Sequence, residues 1–372
     1  MQVAIIGLPT SGKTTVFNAL TKAHADLNVH TPAGAEANVA VVKVPDVRLG
    51  KLAEIFKPKR IVPADITYVD IGGFAVGFGK SEGFTGQLLT SVQKADTLVQ
   101  VVRAFDDPSI PRVAGPGAGD AVDPEHDIAT FDMELAYSDL SIIERRLERI
   151  KDSTHKAKAA EKAIYELEAV VLAKLKRALE GEVPIRALDL NDEEEKVIRP
   201  FQFLTAKPML VLVNIHEDQI PEAGALEARL KQTYARPRTE VAVVPGKVEM
   251  EIAQLDDEEL AEEFRQSVGV TESALDRVIR ICYHLLGYIS FLTGGADEVR
   301  AWTIRKGSSA QKASGAIHTD LERGFIRAEV VHYDDLIRVG GLVEAKKQGL
   351  LRLEGKTYVV KDGDLLNVLF NL

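Results

Sequence analysis

Residues 3–14 read Val3-Ala4-Ile5-Ile6-Gly7-Leu8-Pro9-Thr10-Ser11-Gly12-Lys13-Thr14, an apolar run followed by the complete pattern G-x-x-x-x-G-K-[ST]. The run predicts a buried strand, and the pattern predicts a loop that cradles a nucleoside triphosphate. Gly7 and Gly12 let the backbone curl until successive N–H groups face the phosphates, and the helix expected from about Lys13 aims its positive end at them. Pro9, Thr10, Ser11 and Thr15 complete the expected cradle. Lys13 is expected to neutralise the β and γ phosphates, and the Thr14 hydroxyl to ligate Mg²⁺. Val16, Phe17 and Leu20 give the following helix an apolar face, which supplies the strand–loop–helix context the pattern needs.

Composition bounds the rest. With 372 residues and 45% hydrophobic content the chain can bury a substantial core, and its length suggests two or three domains. The formal net charge of −10 argues against coating nucleic acid by bulk charge, so any RNA contact is local, and nothing indicates DNA specificity. Cys282 is the only cysteine, so there is no internal disulfide and no zinc-type spacing. No basic leader precedes the first strand and no stretch is long enough to span a membrane, so the expected location is the cytoplasm.

Runs at residues 2–6, 66–70 and 98–103 alternate with helical or loop segments, the pattern of a parallel sheet covered by helices. After Asp123-Pro124 a charged helical stretch extends to about Glu180, and Gly181 ends it. In it Leu140, Ile143, Leu147 and Ile150, then Ile164, Leu167, Val171 and Leu175, fall at coiled-coil-like spacings that predict an antiparallel hairpin. Sheet-like runs resume at 208–214 and 241–244. Short β-like runs at 301–304, 325–331, 357–360 and 366–370 then mark a small α+β domain. The expected organisation is a discontinuous P-loop domain (1–125 and 200–285), an inserted helical hairpin (126–199) and a C-terminal domain (286–372).

Two further motifs point at the nucleotide. Val69-Asp70-Ile71-Gly72-Gly73 ends an apolar run in D-x-x-G, so Asp70 can hold Mg²⁺ through water and the Gly73 N–H can approach the γ-phosphate. After the run 208–214, where GTPases carry N-K-x-D, this chain has Asn214-Ile215-His216-Glu217. Glu217 is one methylene longer than the guanine-reading Asp, and Ile215 lacks the Lys stem that covers the base. A charged hydrogen bond is worth roughly 1.5–3 kcal/mol, so guanine preference should fall and ATP is admitted. Gly246 and Lys247, after the run 241–244, are counted with the nucleotide-binding set.

These residues, with Thr15-Val16-Phe17-Asn18-Ala19-Leu20, Val44-Pro45-Asp46-Val47-Arg48-Leu49, Lys57-Pro58-Lys59-Arg60-Ile61-Val62-Pro63-Ala64, Arg300-Ala301-Trp302-Thr303-Ile304-Arg305 and residues 317–326, resemble the YchF/Obg-like ATPase family over nearly the whole chain. The resemblance implies an α/β P-loop G domain with an inserted α-helical hairpin and a C-terminal α+β ubiquitin-like TGS domain. It also implies ATP hydrolysis with Mg²⁺ and association with the ribosome or a ribosomal subunit. The chain departs from the family's pattern in places. Thr10-Ser11 replaces an Asn-containing pair, so potassium stimulation is not expected. The switch-I threonine falls on Gly34, with Thr31 as the nearest substitute; Phe74, where ordinary GTPases carry a catalytic Gln, matches the family's use of a hydrophobic residue. The family's loop histidine aligns with Arg112, which cannot act as a base but can stabilise transition-state charge.

The remaining polar motifs read more plainly. His318 and Asp320 have no third ligand nearby, which favours a structural or recognition role, and Trp302 is expected in a core. Arg300, Arg305, Lys306, Arg323 and Arg327 form a local positive set that could meet rRNA phosphates or simply be solvated. The charged faces of the hairpin read as solubilising, with partner binding as the alternative. The sequence thus reads as an Mg²⁺-dependent ATPase linked to translation, with Lys13 and Arg112 stabilising charge and Thr14 and Asp70 on the metal. A nucleotide-gated ribosome-binding protein with vestigial hydrolysis and a true GTPase are the competing readings.

Overall fold

The computed structural model describes residues 1–22, 38–72, 86–110, 121–154, 158–234 and 236–371. In chain order the strands are β1 (Gln2–Ile6), β2 (Asn38–Lys43), β3 (Arg60–Val62), β4 (Asp65–Asp70), β5 (Thr97–Arg103), β6 (Met209–Asn214), β7 (Thr239–Val244), β8 (Tyr288–Gly294), β9 (Glu298–Arg305), β10 (Phe325–His332), β11 (Arg352–Glu354) and β12 (Asp364–Phe370). The helices that matter most are α1 (Lys13–Thr21), α2 (Val47–Phe56), α3 (Gly86–Lys94), α4 (Pro124–Thr154) and α5 (Ala159–Glu180). The chain folds into two compact units: Met1–Val41 with Thr67–Ile281, and Val42–Ile66 with Cys282–Leu372.

In the first unit the sheet order is β2-β4-β1-β5-β6-β7, and the pairs from β4 through β7 are all parallel. Every residue of β5 and β6 is buried, as expected when helices cover both faces of a parallel sheet. Such a sheet binds ligands beyond the carboxyl ends of its strands. Gly7 follows β1, Asp70 ends β4, Asn214 ends β6 and Gly246 follows β7, so the sequence motifs converge on that edge.

The predicted hairpin is α4 and α5. Asp123 accepts the His126 N–H at 3.1 Å and Pro124 opens α4, a start that suits a residue without an N–H. Ile128, Phe131 and Leu135 of α4 join the core of the sheet, while Ile143 and Ile150 pack against Leu172, Leu175 and Leu179 of α5. One part of the expected seam differs. Ile164 and Leu167 are exposed, and the inward positions there are Tyr165 and Glu168, each one residue later. Glu168 is buried because Arg146 of α4 meets its carboxylate at 2.7 and 2.8 Å, and the same guanidinium lies 5.9 Å from the Tyr165 ring. A charged pair has taken the place the apolar spacing assigned.

The second unit has a mixed sheet in the order β11-β10-β12-β8-β9-β3. Phe291, Ile304, Phe325, Val330 and Leu366 build its core against Ala310 and Ala313 of the helix Ala310–Ile317. Residues 42–66 belong here, although the sequence reading placed them in the nucleotide domain. The reason is long-range pairing. β3 pairs parallel with β9, and Arg48 grips Asp46 through two hydrogen bonds at 2.8 Å while donating to Asp362 at 2.9 Å. The expected strand at 357–360 is a turn with a single bridge from Val359 to Ser309. Trp302 sits at the margin of the core, half-buried beneath the Arg300 guanidinium at 4.0 Å, so that one member of the basic set is engaged by an aromatic face. His318 caps the short helix Thr319–Arg323 by accepting the Asp320 N–H at 3.2 Å, a structural role.

Candidate nucleotide site

The loop after β1 is held in an uncommon shape. Gly12 adopts φ 89°, and Thr10, a β-branched residue, is held at φ 61°, where L side chains rarely sit. Gly12, the N-cap of α1, has no side chain to cap the N–H groups of its first turn, a condition that suits anion binding. Pro9, Thr10 and Thr15 are half-buried and Ser11 is 2% exposed, its hydroxyl buried without a hydrogen-bond partner among the described residues.

Lys13 is 7% exposed and donates from Nζ to the Leu8 carbonyl at 2.8 Å. Burial lowers its pKa to about 8, and the Asp70 carboxylate partly offsets that. Asp70 is 5% exposed, and burial raises its pKa while Lys13, Thr14 and Asn38 act in the opposite direction. The Thr14 hydroxyl donates to Asp70 Oδ2 at 3.1 Å. Asp70 Oδ1 is buried and has no partner among the described residues. A hydroxyl beside a carboxylate with one free oxygen is a donor set that suits Mg²⁺, which takes one or two protein oxygens and completes its shell with water and phosphate. The residues present therefore fit that ion.

At the other end of the loop, Asn214 is 4% exposed and tied in two directions. Its Nδ2 donates to the Ser11 carbonyl at 3.2 Å, and its Oδ1 accepts the Gly246 N–H at 3.0 Å. A Cβ at Gly12 would overlap the Asn214 amide, and one at Gly246 would stand 2.6 Å from its oxygen, so both positions need glycine. Ile215 is 2% exposed and belongs to the sheet core, with its N–H on the Val244 carbonyl. Glu217 is exposed at the start of a short 3-10 turn that His216 caps. Lys247 is exposed in the first turn of the helix Gly246–Ala253, and its charge joins Ser109 and Arg103 in holding the Asp107 carboxyl below its ordinary range.

Sequence reasoning missed two residues here. Arg103, at the end of β5, is buried and bonds the carbonyls of Phe105, Asp107 and Ile110 at 3.1 to 3.3 Å, which orders the loop after the strand. Asn38 reaches Asp70 Oδ2 at 3.4 Å. Neither carries a motif. Gly73, Phe74, Thr31, Gly34 and Arg112 lie outside the described residues.

A buried lysine at the start of a helix with no side-chain N-cap, near a carboxylate with one oxygen unpartnered among the described residues, suits a phosphate chain. The fold and this edge of the sheet define a GTPase-type P-loop nucleotide-binding protein. A family model described as a 50S ribosome-binding GTPase matches residues 2–131, and the model YchF-GTPase_C, described as a protein of unknown function, matches residues 288–371. The chain is 41% identical to the ribosome-binding ATPase YchF of Bacillus subtilis, over 100% of both chains. It is 42% identical to that of Escherichia coli O157:H7, over 99% of this chain and 98% of the other. The solved structure of the Schizosaccharomyces pombe YchF GTPase superposes with a TM-score of 0.80 at 32% identity, covering 99% of this chain and 97% of that one. The chain belongs to the YchF family.

Proposed function

We propose that this chain hydrolyses ATP to ADP and phosphate with Mg²⁺ and acts on the ribosome, in the cytoplasm, as a regulator linked to translation. The observation that carries the reading is the Lys13–Thr14–Asp70 set, in which a buried ammonium stands near a carboxylate whose Oδ1 has no partner among the described residues. The names of the bacterial relatives, ribosome-binding ATPases, support the partner and the activity. Thr14 and Asp70 would hold Mg²⁺, which when bound neutralises the β and γ phosphates. Lys13 shares that charge, and the loop N–H groups and the Gly73 N–H orient the γ-phosphate. Water then attacks phosphorus as the bond to the β–γ bridging oxygen breaks. Arg112 meets the charge that develops, as an internal arginine finger.

ATP is admitted because the guanine clamp is missing. Ile215 is buried in the core and leaves no covering stem, and Glu217 is exposed and a methylene too long. The C-terminal unit, TGS-like in this reading, would take the rRNA contact through its basic residues. Competition titration of ATP against GTP tests the proposal: ATP should bind at least as tightly, and a GTP preference above tenfold would replace it with the GTPase reading. Gly34 at the switch threonine position and Arg112 at the position of the family's loop histidine favour one second reading, a nucleotide-gated ribosome-binding protein with vestigial hydrolysis. Single-turnover hydrolysis with and without ribosomes separates the two.

A further inference from the structure

We propose that Asn38 is a positioning residue that sets the Asp70 carboxylate for its cation. Asn38 opens β2, the strand beside β4 in the sheet, and Asp70 closes β4. The Asn38 Nδ2 donates to Asp70 Oδ2 at 3.4 Å, the same oxygen that takes the Thr14 hydroxyl at 3.1 Å. Both donors therefore converge on one oxygen, and Oδ1 is left buried without a partner among the described residues.

That asymmetry has a physical use. The terminal torsion of an aspartate is soft, and one hydrogen bond leaves its plane free to turn. Two donors from separate strands of chain, α1 and β2, hold Oδ2 in place and so fix where Oδ1 stands. Thr14 can give a lone pair to a cation and its proton to Oδ2 together. Asn38 has no such double duty: its amide N–H can only donate, so it holds the carboxylate without competing for the ion. Asn38 is also exposed, so removing its side chain leaves no cavity in the core.

The inference rests on the reading of Thr14 and Asp70 as the metal-bearing pair, and the experiment separates the two. A fluorescent mant-ATP is titrated into the full chain in EDTA and across a Mg²⁺ series, for the wild type, Asn38→Ala and Asn38→Gln. Removing a group that orients a metal-bearing carboxylate typically weakens metal affinity by about 10- to 100-fold. Asn38→Ala should therefore raise the Mg²⁺ concentration for half-maximal tightening by about tenfold, with affinity in EDTA and thermal stability unchanged. Asn38→Gln, which keeps the amide donor, should recover part of the loss. A Mg²⁺ midpoint within twofold of wild type in Asn38→Ala would overturn the assignment. So would an equal loss in EDTA, which would make Asn38 a general support of the loop. If the wild-type curves in EDTA and Mg²⁺ coincide, the metal reading of Thr14 and Asp70 falls and the inference falls with it.

Discussion

The Asn214 side-chain oxygen accepts the Gly246 N–H at 3.0 Å, which joins the end of β6 to the turn after β7. The same amide donates to the Ser11 carbonyl, so one buried side chain sets the distance between the phosphate loop and the turn that follows β7. Asn214→Ala leaves a buried N–H and a buried carbonyl without this partner, at about 1–3 kcal/mol each. The expected outcome is a loss of ATP affinity of about tenfold or more by isothermal titration. Gly246→Ala should act in the same direction, because its Cβ would press on the Asn214 oxygen. Wild-type affinity in both variants would mean that this clamp does not shape the site.

Lys13→Ala should abolish measurable triphosphate affinity while the protein stays folded. The ammonium is buried with the Leu8 carbonyl as its acceptor, and burial has already lowered its pKa to about 8, so deleting this charge relieves desolvation rather than opening the core. Circular dichroism should be unchanged while mant-ATP fluorescence enhancement is lost. Retained binding by the folded variant would refute the phosphate-loop assignment.

Arg112→Ala addresses the transition state alone. If the guanidinium meets charge that develops on the γ-phosphate, kcat at saturating ATP should fall by about tenfold or more with little change in ATP affinity. Equal turnover in the two proteins would remove Arg112 from the mechanism and leave hydrolysis to a ribosomal partner.

How far the sequence reaches depends on whether a residue is fixed by chemistry or by packing. Gly12, Lys13, Thr14, Asp70 and Asn214 were legible because phosphate, cation and loop geometry demand those side chains at those spacings after a strand. Asn38 and Arg103 were not, since each acts through a contact set by sheet order or loop shape, and neither pattern has a period. Residues 42–66 were misplaced for a similar reason. β3 has only three residues, and its partner β9 lies more than two hundred positions downstream, so no local alternation could announce the pairing. In the hairpin, apolar spacing found the helices but misread α5 near Ile164, where the Arg146–Glu168 pair rather than hydrophobicity decides which face turns inward.

The base of that hairpin gives a pH-dependent stability. Asp139 of α4 is 0% exposed and accepts the Leu204 and Thr205 N–H groups at 3.0 and 2.8 Å and the Thr205 hydroxyl at 2.6 Å. Burial raises its pKa from 3.8 to about 6, against the pull of those hydrogen bonds and of the Lys207 charge. In the folded chain the carboxyl therefore keeps its proton over a range where the unfolded chain has lost it. A raised folded pKa contributes stability that is present below the unfolded value and is lost as pH rises through about 6. Asp139→Asn costs stability at every pH, because its NH₂ meets a donor where the carboxylate had an acceptor, but it removes this titration. The cost of the substitution should thus be larger near pH 4 than near pH 7.5, by about 2–3 kcal/mol on the scale of 1.36 kcal/mol per pKa unit. Urea denaturation of both proteins at the two pH values, followed by far-UV circular dichroism, measures the difference. An equal cost at both would show that Asp139 carries the same charge in the folded and unfolded chain throughout that range.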